Sequence, residues 1–257
     1  MKVKIGVLSM ILGFVAMGCQ QEEKPKVIYP DKAEVTTVDT KDNQRELSSV
    51  EDIRISDLPI TMGETDYLLH PVGEVRVYST GSKYSGKINQ YSYTVSNFSP
   101  DELTGNLANI MFQHKDSLDI RPLTEQKVMI YSATYLKSIA ERYKKHYIVY
   151  RVYDKDTNKD GLIDANDIKT LYISEVDGTG FMKLTVDLQE FLDWTVVDAQ
   201  HRLYFRTVED INKNGAFDKD DNVNYYYVDL MKKELEVIAY NPLAVKKVAE
   251  VNEELAQ

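Results

Sequence analysis

Residues 146–176 read "HYIVYRVYDKDTNKDGLIDANDIKTLYISEV", and this stretch decides how the chain is understood. Both ends are runs of Tyr, Ile, Val and Leu with the odd polar residue, the composition of well-buried β-strands. The middle, Asp156 to Asp167, carries acidic or amide side chains at alternate positions. Gly161, Ile163 and two further Asp follow. The stretch reads as strand, polar loop, strand.

The loop has a spacing with a chemical meaning. A hard cation such as calcium takes oxygen ligands at positions 1, 3, 5, 7, 9 and 12 of a twelve-residue loop, with Gly at 6 for the sharp turn. With Asp156 at position 1, the ligands are Asn158, Asp160, the backbone carbonyl of Leu162, Asp164 and Asp167. Ile163 at position 8 is expected to tie the loop to the core. The pattern returns in "DINKNGAFDKDD", where Asp210, Asn212, Asn214, the carbonyl of Ala216, Asp218 and Asp221 fill the same places. Gly215 and Phe217 match Gly161 and Ile163. Two Ca2+ sites are therefore expected. The second should be the weaker, because Asn214 stands where the first loop has Asp160. Both loops end in Asp rather than the Glu usual in calcium sensors. In this they resemble dockerin-type loops, an EF-hand-like pattern, although dockerins flank each loop with helices. Strands flank these, so the resemblance implies calcium and no cohesin partner.

The loops belong to a larger repeat. Asp210 follows Asp156 by 54 residues, and at that offset Tyr150 meets Tyr204 and Leu171 meets Tyr225. Without the inserted loop the unit has about the ~40–45 residues of a propeller blade. "LYISEVDG" followed by "KLT" resembles the blades of TolB-like β-propellers, and residues from about 202 resemble a second blade. The expected fold class is all-β: a small or incomplete β-propeller with strand-flanked calcium loops, with a β-sandwich as the alternative. Short runs such as "DYLLHPVGEVRVYS", "KVMIYSATYL" and "NYYYVDL" support this, as do 18 Tyr against one Trp and 7 Phe. Leu136, Ile139, Ala140 and Tyr143 fall at helical spacing and predict one helix. The tail after Pro242 is a second helical candidate.

The N-terminus reads "MKVKIGVLSMILGFVAMGCQQEEKPK". A basic start, a short apolar run and small residues before Cys19 resemble a bacterial lipoprotein signal peptide, residues 1–18. The resemblance implies diacylation of Cys19, the sole Cys, and an outer-membrane lipoprotein on the periplasmic or cell-surface side. "QQEEK" resembles the short acidic signals that send lipoproteins to the cell surface. Residues 19–50 read as a flexible tether, in which "KVIYP" has the makings of an edge strand, and residues 51–257 as the domain.

A formal charge of −10 argues against nucleic acid as a partner. The expected partners are the membrane, through the lipid, and an unidentified protein or glycan. His70, His114, His146 and His201 lack zinc spacing. "GSKYSGKI" at Gly81 nearly matches a phosphate loop, but Ile88 stands where Ser or Thr belongs, so it reads as a β-turn. Trp194 fits sugar stacking or, more simply, a core. No catalytic or cofactor-binding residue stands out. The chain is expected to be a calcium-stabilised binding or scaffold lipoprotein, with a hydrolase or polysaccharide-handling enzyme as the alternative. Even weak sites, at the ~10⁻⁴–10⁻³ M end, fill outside the cell, so the ions are expected to be structural.

Overall fold

A computed structural model describes residues 25–29, 53–82 and 85–244. The signal peptide, Cys19, most of the tether and the tail helix expected after Pro242 lie outside these, save that residues 241–244 form a turn. The described chain is all-β with one short α-helix. Among the described residues no helix is long and apolar enough to cross a membrane.

In chain order the strands begin with β1 (Arg54–Ser56), β2 (Tyr67–Glu74), β3 (Arg76–Ser82), β4 (Ser85–Ser92) and β5 (Ser96–Ser99). Then come β6 (Glu102–His114), β7 (Ile120–Pro122), β8 (Met129–Tyr135), helix α1 (Lys137–Tyr143), β9 (Tyr147–Tyr153), β10 (Lys169–Glu175) and β11 (Met182–Lys183). The last four are β12 (Gln189–Val197), β13 (Arg202–Glu209), β14 (Asn222–Asp229) and β15 (Val237–Ala239). A nine-stranded sheet runs β1-β2-β6-β8-β9-β10-β11, with β5 and β7 also paired to β6. A four-stranded sheet runs β12-β13-β14-β15, and β3 and β4 form a separate hairpin. The strands of that hairpin hold residues 81–82 and 85–88 of the near match to a phosphate loop, and the expected turn between them lies outside the described residues.

The 54-residue repeat is visible as topology. β8-β9-β10-β11 and β12-β13-β14-β15 are both antiparallel meanders. In each the polar loop joins the second strand to the third, β9 to β10 and β13 to β14. Tyr150 faces Tyr172 across one hairpin, and Tyr204 faces Tyr227 across the other. The meanders differ in their edges. The first does not stand alone as a blade: β8 also pairs with β6, which extends the sheet to β1. The described residues contain no closed ring of blades.

Two cores explain the strand compositions. Ile148, Tyr150 and Val152 of β9 join Leu69, Leu103, Leu107, Ile110, Phe112 and Ile130 in one cluster. Tyr147 and Val149, on the opposite face of β9, join Leu171 and Ile173 of β10 in another. That second cluster also holds Phe191, Leu203, Phe205 and Val228 of the four-stranded sheet. The two sheets thus share one buried layer, and β9 is buried on both faces, which is why it reads as a nearly continuous apolar run. Helix α1 adds Ile139 to this layer and stops at Lys144, which is left-handed (φ 57°) and donates its N–H to the Ala140 carbonyl.

Candidate metal centres

The second polar loop leaves its strand at the position-1 Asp and the first leaves its strand two residues before that position, and each folds back on its own carboxylates. In the first loop the Asp156 carboxylate accepts the N–H groups of Asp160 and Gly161 at 3.1 and 2.9 Å. Asn158 Oδ1 accepts the Asp160 N–H at 3.0 Å, and Asp160 Oδ1 accepts that of Leu162 at 2.9 Å. Asp164 Oδ1 accepts from Asn166 at 2.8 Å. Asp167 closes the ring, taking the Thr157 N–H at 2.7 Å on one oxygen and the Asp164 N–H at 2.9 Å on the other.

The second loop repeats this scheme. Asp210 accepts from Asn214 and Gly215 at 3.2 and 2.7 Å. Asn212 Oδ1 accepts from Asn214, and Asn214 Oδ1 from Ala216, each at 2.8 Å. Asp218 accepts from Asp220 at 2.8 Å, and Asp221 from Ile211 and Asp218 at 3.2 and 3.0 Å. The backbones match too. Lys159 and Lys213 at position 4 have φ of 58° and 56°, and Gly161 and Gly215 at position 6 have 88° and 83°. Asn214 makes the same turn as Asp160 without its charge, so the substitution changes electrostatics and leaves the hydrogen bond in place.

Among the described residues no three His, Cys, Asp or Glu side chains gather into a metal cluster by themselves. The loops offer a mixed set of Asp carboxylates, Asn amide oxygens and the carbonyls of Leu162 and Ala216. All-oxygen sets of this kind suit Ca2+. Asp167 and Asp210 are buried, and the other side-chain ligands are partly or fully exposed. The position-8 residues differ from expectation. Ile163 and Phe217 are half-buried and belong to neither core. Ile163 lines a cleft of about 660 Å³ with Asn106, Asn109, Thr124 and Met129, while Phe217 lines one of about 370 Å³ with Lys26, Glu190 and Val223. Both cores are already filled by strand residues, so these side chains cap the loop flanks instead.

Sequence reasoning missed what lies across the loops. Residues 25–29, in the expected tether, run against both of them. The Lys26 and Val27 N–H groups donate to the Gly215 carbonyl at 2.7 and 3.3 Å, and the Ile28 N–H donates to the Thr157 carbonyl at 3.1 Å. Thr157 Oγ1 donates to the Lys26 carbonyl at 2.9 Å. Val27 is 4% exposed. The Lys26 ammonium lies 3.0 Å from the buried Glu190 carboxylate, which also accepts the Lys169 N–H at 2.9 Å. Burial, and next the negative charge of the nearby Asp210 carboxylate, push the Tyr29 hydroxyl up to about 12. The only hint in the sequence was the apolar content of "KVIYP".

Next to the first loop, the Lys183 ammonium bridges Asp154 and Asp187 at 2.8 and 2.7 Å, and Lys155 reaches Asp187 at 2.7 Å. These two lysines pull the Asp187 carboxyl down to about 2. Tyr172 donates to Asp154 at 2.7 Å, and burial followed by that carboxylate raises its pKa strongly. The four histidines lie on separate elements: His70 bonds Gln113 and His146 bonds Tyr135, while His201 ends a 3-10 turn. Trp194 packs against the second core, as the simpler reading held. On the outer face of the same sheet Tyr240 stands edge to face with Tyr204, Tyr225 and Tyr227, Tyr204 is tilted against Tyr227, and Arg202 lies 4.2 Å over the Tyr227 ring.

No family model and no curated protein matches the chain. Among solved structures it aligns with a "putative TolB" from Agrobacterium tumefaciens at 10% identity, over 72% of this chain and 80% of that one. The TM-score is 0.21, and a likeness of that size carries no argument.

Proposed function

We propose that the chain is an exported lipoprotein, anchored through Cys19 to the outer membrane, whose propeller-like β-domain is clamped by two calcium ions. It serves as a binding or scaffold protein. The observation that carries this reading is the repetition of one hydrogen-bonding scheme in two separate loops, at the same hairpin of two meanders. A polar turn needs only a few such bonds. Here carboxylate or amide oxygens at positions 1, 3, 5, 9 and 12 all accept backbone N–H groups in both loops. Each of these oxygens keeps lone-pair capacity that a cation can use. Without a cation, clustered carboxylates repel one another. With one, binding free energy becomes folding free energy. The cell exterior supplies enough calcium to fill such sites. The partner, a protein or a glycan, meets the tyrosine-rich outer face of β12–β15, where rings offer contact area at low conformational cost.

The test is calcium titration of chelator-stripped residues 20–257 by calorimetry, with thermal melting alongside. Two binding events with a rise in melting temperature are expected. Two silent loops would reduce both to polar turns.

A further inference from the structure

We propose that seating of residues 25–29 and calcium binding by the two loops are one linked equilibrium, in which this segment is a strap that joins the loops and couples their ions. The proposal rests on the calcium reading above and adds regulation to those sites.

The strap touches each loop at a residue whose other side is held by a candidate ligand. Thr157 donates its N–H to Asp167 and receives the strap's Ile28 N–H on its carbonyl. Gly215 donates its N–H to Asp210 and receives the Lys26 and Val27 N–H groups on its carbonyl. Each contact residue therefore links inward to a carboxylate and outward to the strap. An ion that fixes Asp167 and Asp210 fixes the orientation of these two residues, and with it the docking surface. In the empty state the carboxylates repel, the loops loosen and the matched acceptors are lost.

Three further observations point the same way. Val27 is sealed, although its neighbours on either side are at least partly exposed. Lys26 is the closest cation to the buried Glu190, so the seated state also satisfies a charge. The Tyr29 hydroxyl lies near the carboxylate of Asp210, a position-1 ligand. One strap on two loops must couple them. The first ion meets part of the cost of ordering it, and the second ion binds to a surface already ordered. By reciprocity the strap raises calcium affinity as much as calcium favours the strap.

Two measurements on residues 20–257 decide the matter. The first is trypsin cleavage after Lys26 in wild-type protein, with calcium or with chelator. The second is calcium calorimetry of wild type, Val27→Asp and the milder Val27→Ala, with circular dichroism to confirm that the sheets are formed. Calcium is expected to slow the cleavage by about tenfold or more, and Val27→Asp to weaken both loops by about tenfold and abolish their coupling, with Val27→Ala between. Equal affinities in all three proteins, with cleavage indifferent to calcium, would overturn the strap and leave the calcium sites standing. Wild-type protein that binds no calcium would overturn both. The cleavage assay needs no variant, so the strap stays testable even if Val27→Asp fails to fold.

Discussion

The two position-6 glycines form a natural pair of experiments. Both have positive φ, 88° at Gly161 and 83° at Gly215. Replacing either by Ala strains the backbone by about 1–2 kcal/mol. Their surroundings differ. A Cβ built on Gly161 meets nothing within 4 Å, whereas one on Gly215 lies 2.4 Å from the Val27 carbonyl oxygen and 2.8 Å from Pro25 Cβ. The first of these contacts is backbone, so no rotamer change relieves it. Gly215→Ala must either compress the strap against the loop, at about 1–3 kcal/mol by analogy with overpacking, or lift it off. In the second case it forfeits hydrogen bonds worth about 0.5–1.5 kcal/mol each. Gly215→Ala should therefore cost roughly 1–3 kcal/mol more than Gly161→Ala. At about 2–4 °C per kcal/mol, that is a further fall of roughly 2–12 °C in melting temperature at saturating calcium. The excess should vanish in a Val27→Asp background, where the strap is already displaced. Equal losses in the two single variants, or an excess that persists in Val27→Asp, would refute the reasoning.

Other outcomes follow from single residues. Asp160→Asn converts position 5 of the first loop to the residue found in the second, and it keeps an oxygen for the Leu162 N–H. Calorimetry should show the first loop weakened by about tenfold, towards the affinity of the second, with little change in the calcium-free fold. The Asp187 pKa is depressed in the folded state to about 2. Its contribution to stability is complete above the unfolded carboxylate value near 4 and is lost as pH falls through about 2. Asp187→Asn should therefore flatten the fall in stability over that window, measured by denaturant unfolding at stepped pH. Cys19→Ser should abolish acylation, read as loss of the lipid mass and release of the chain from the membrane fraction.

Local signals account for what the sequence revealed. The loops were legible because ligand spacing is counted along one short stretch. Helix α1 was legible from Leu136, Ile139 and Ala140. The double-sided apolar run of β9 marked a central strand. Long-range pairings were not legible. β8 borders β6 because Ile130 and Leu107 share a core, and no local pattern in "KVMIYSATYL" announces that partner. β12 was passed over because Asp193 and a β-bulge after Phe191 break its alternation. Phe217 and Ile163 looked like core residues by loop analogy, but the strands had already filled that space. The strap was hidden for a related reason: one buried Val and a handful of main-chain hydrogen bonds leave almost no periodic trace.

The position of the strap along the chain has a mechanical consequence. Only six residues lead from Cys19 to Pro25, a contour of about 20 Å, whereas 34 lead from Cys19 to Ile53, a contour of about 110 Å. In a chain acylated at Cys19, a seated strap is a short leash. It holds the two loops within about that contour of the bilayer. Once the strap is released, the standoff can grow severalfold and the orientation is free. Five residues between two loops would then set both the height and the heading of the domain above its membrane.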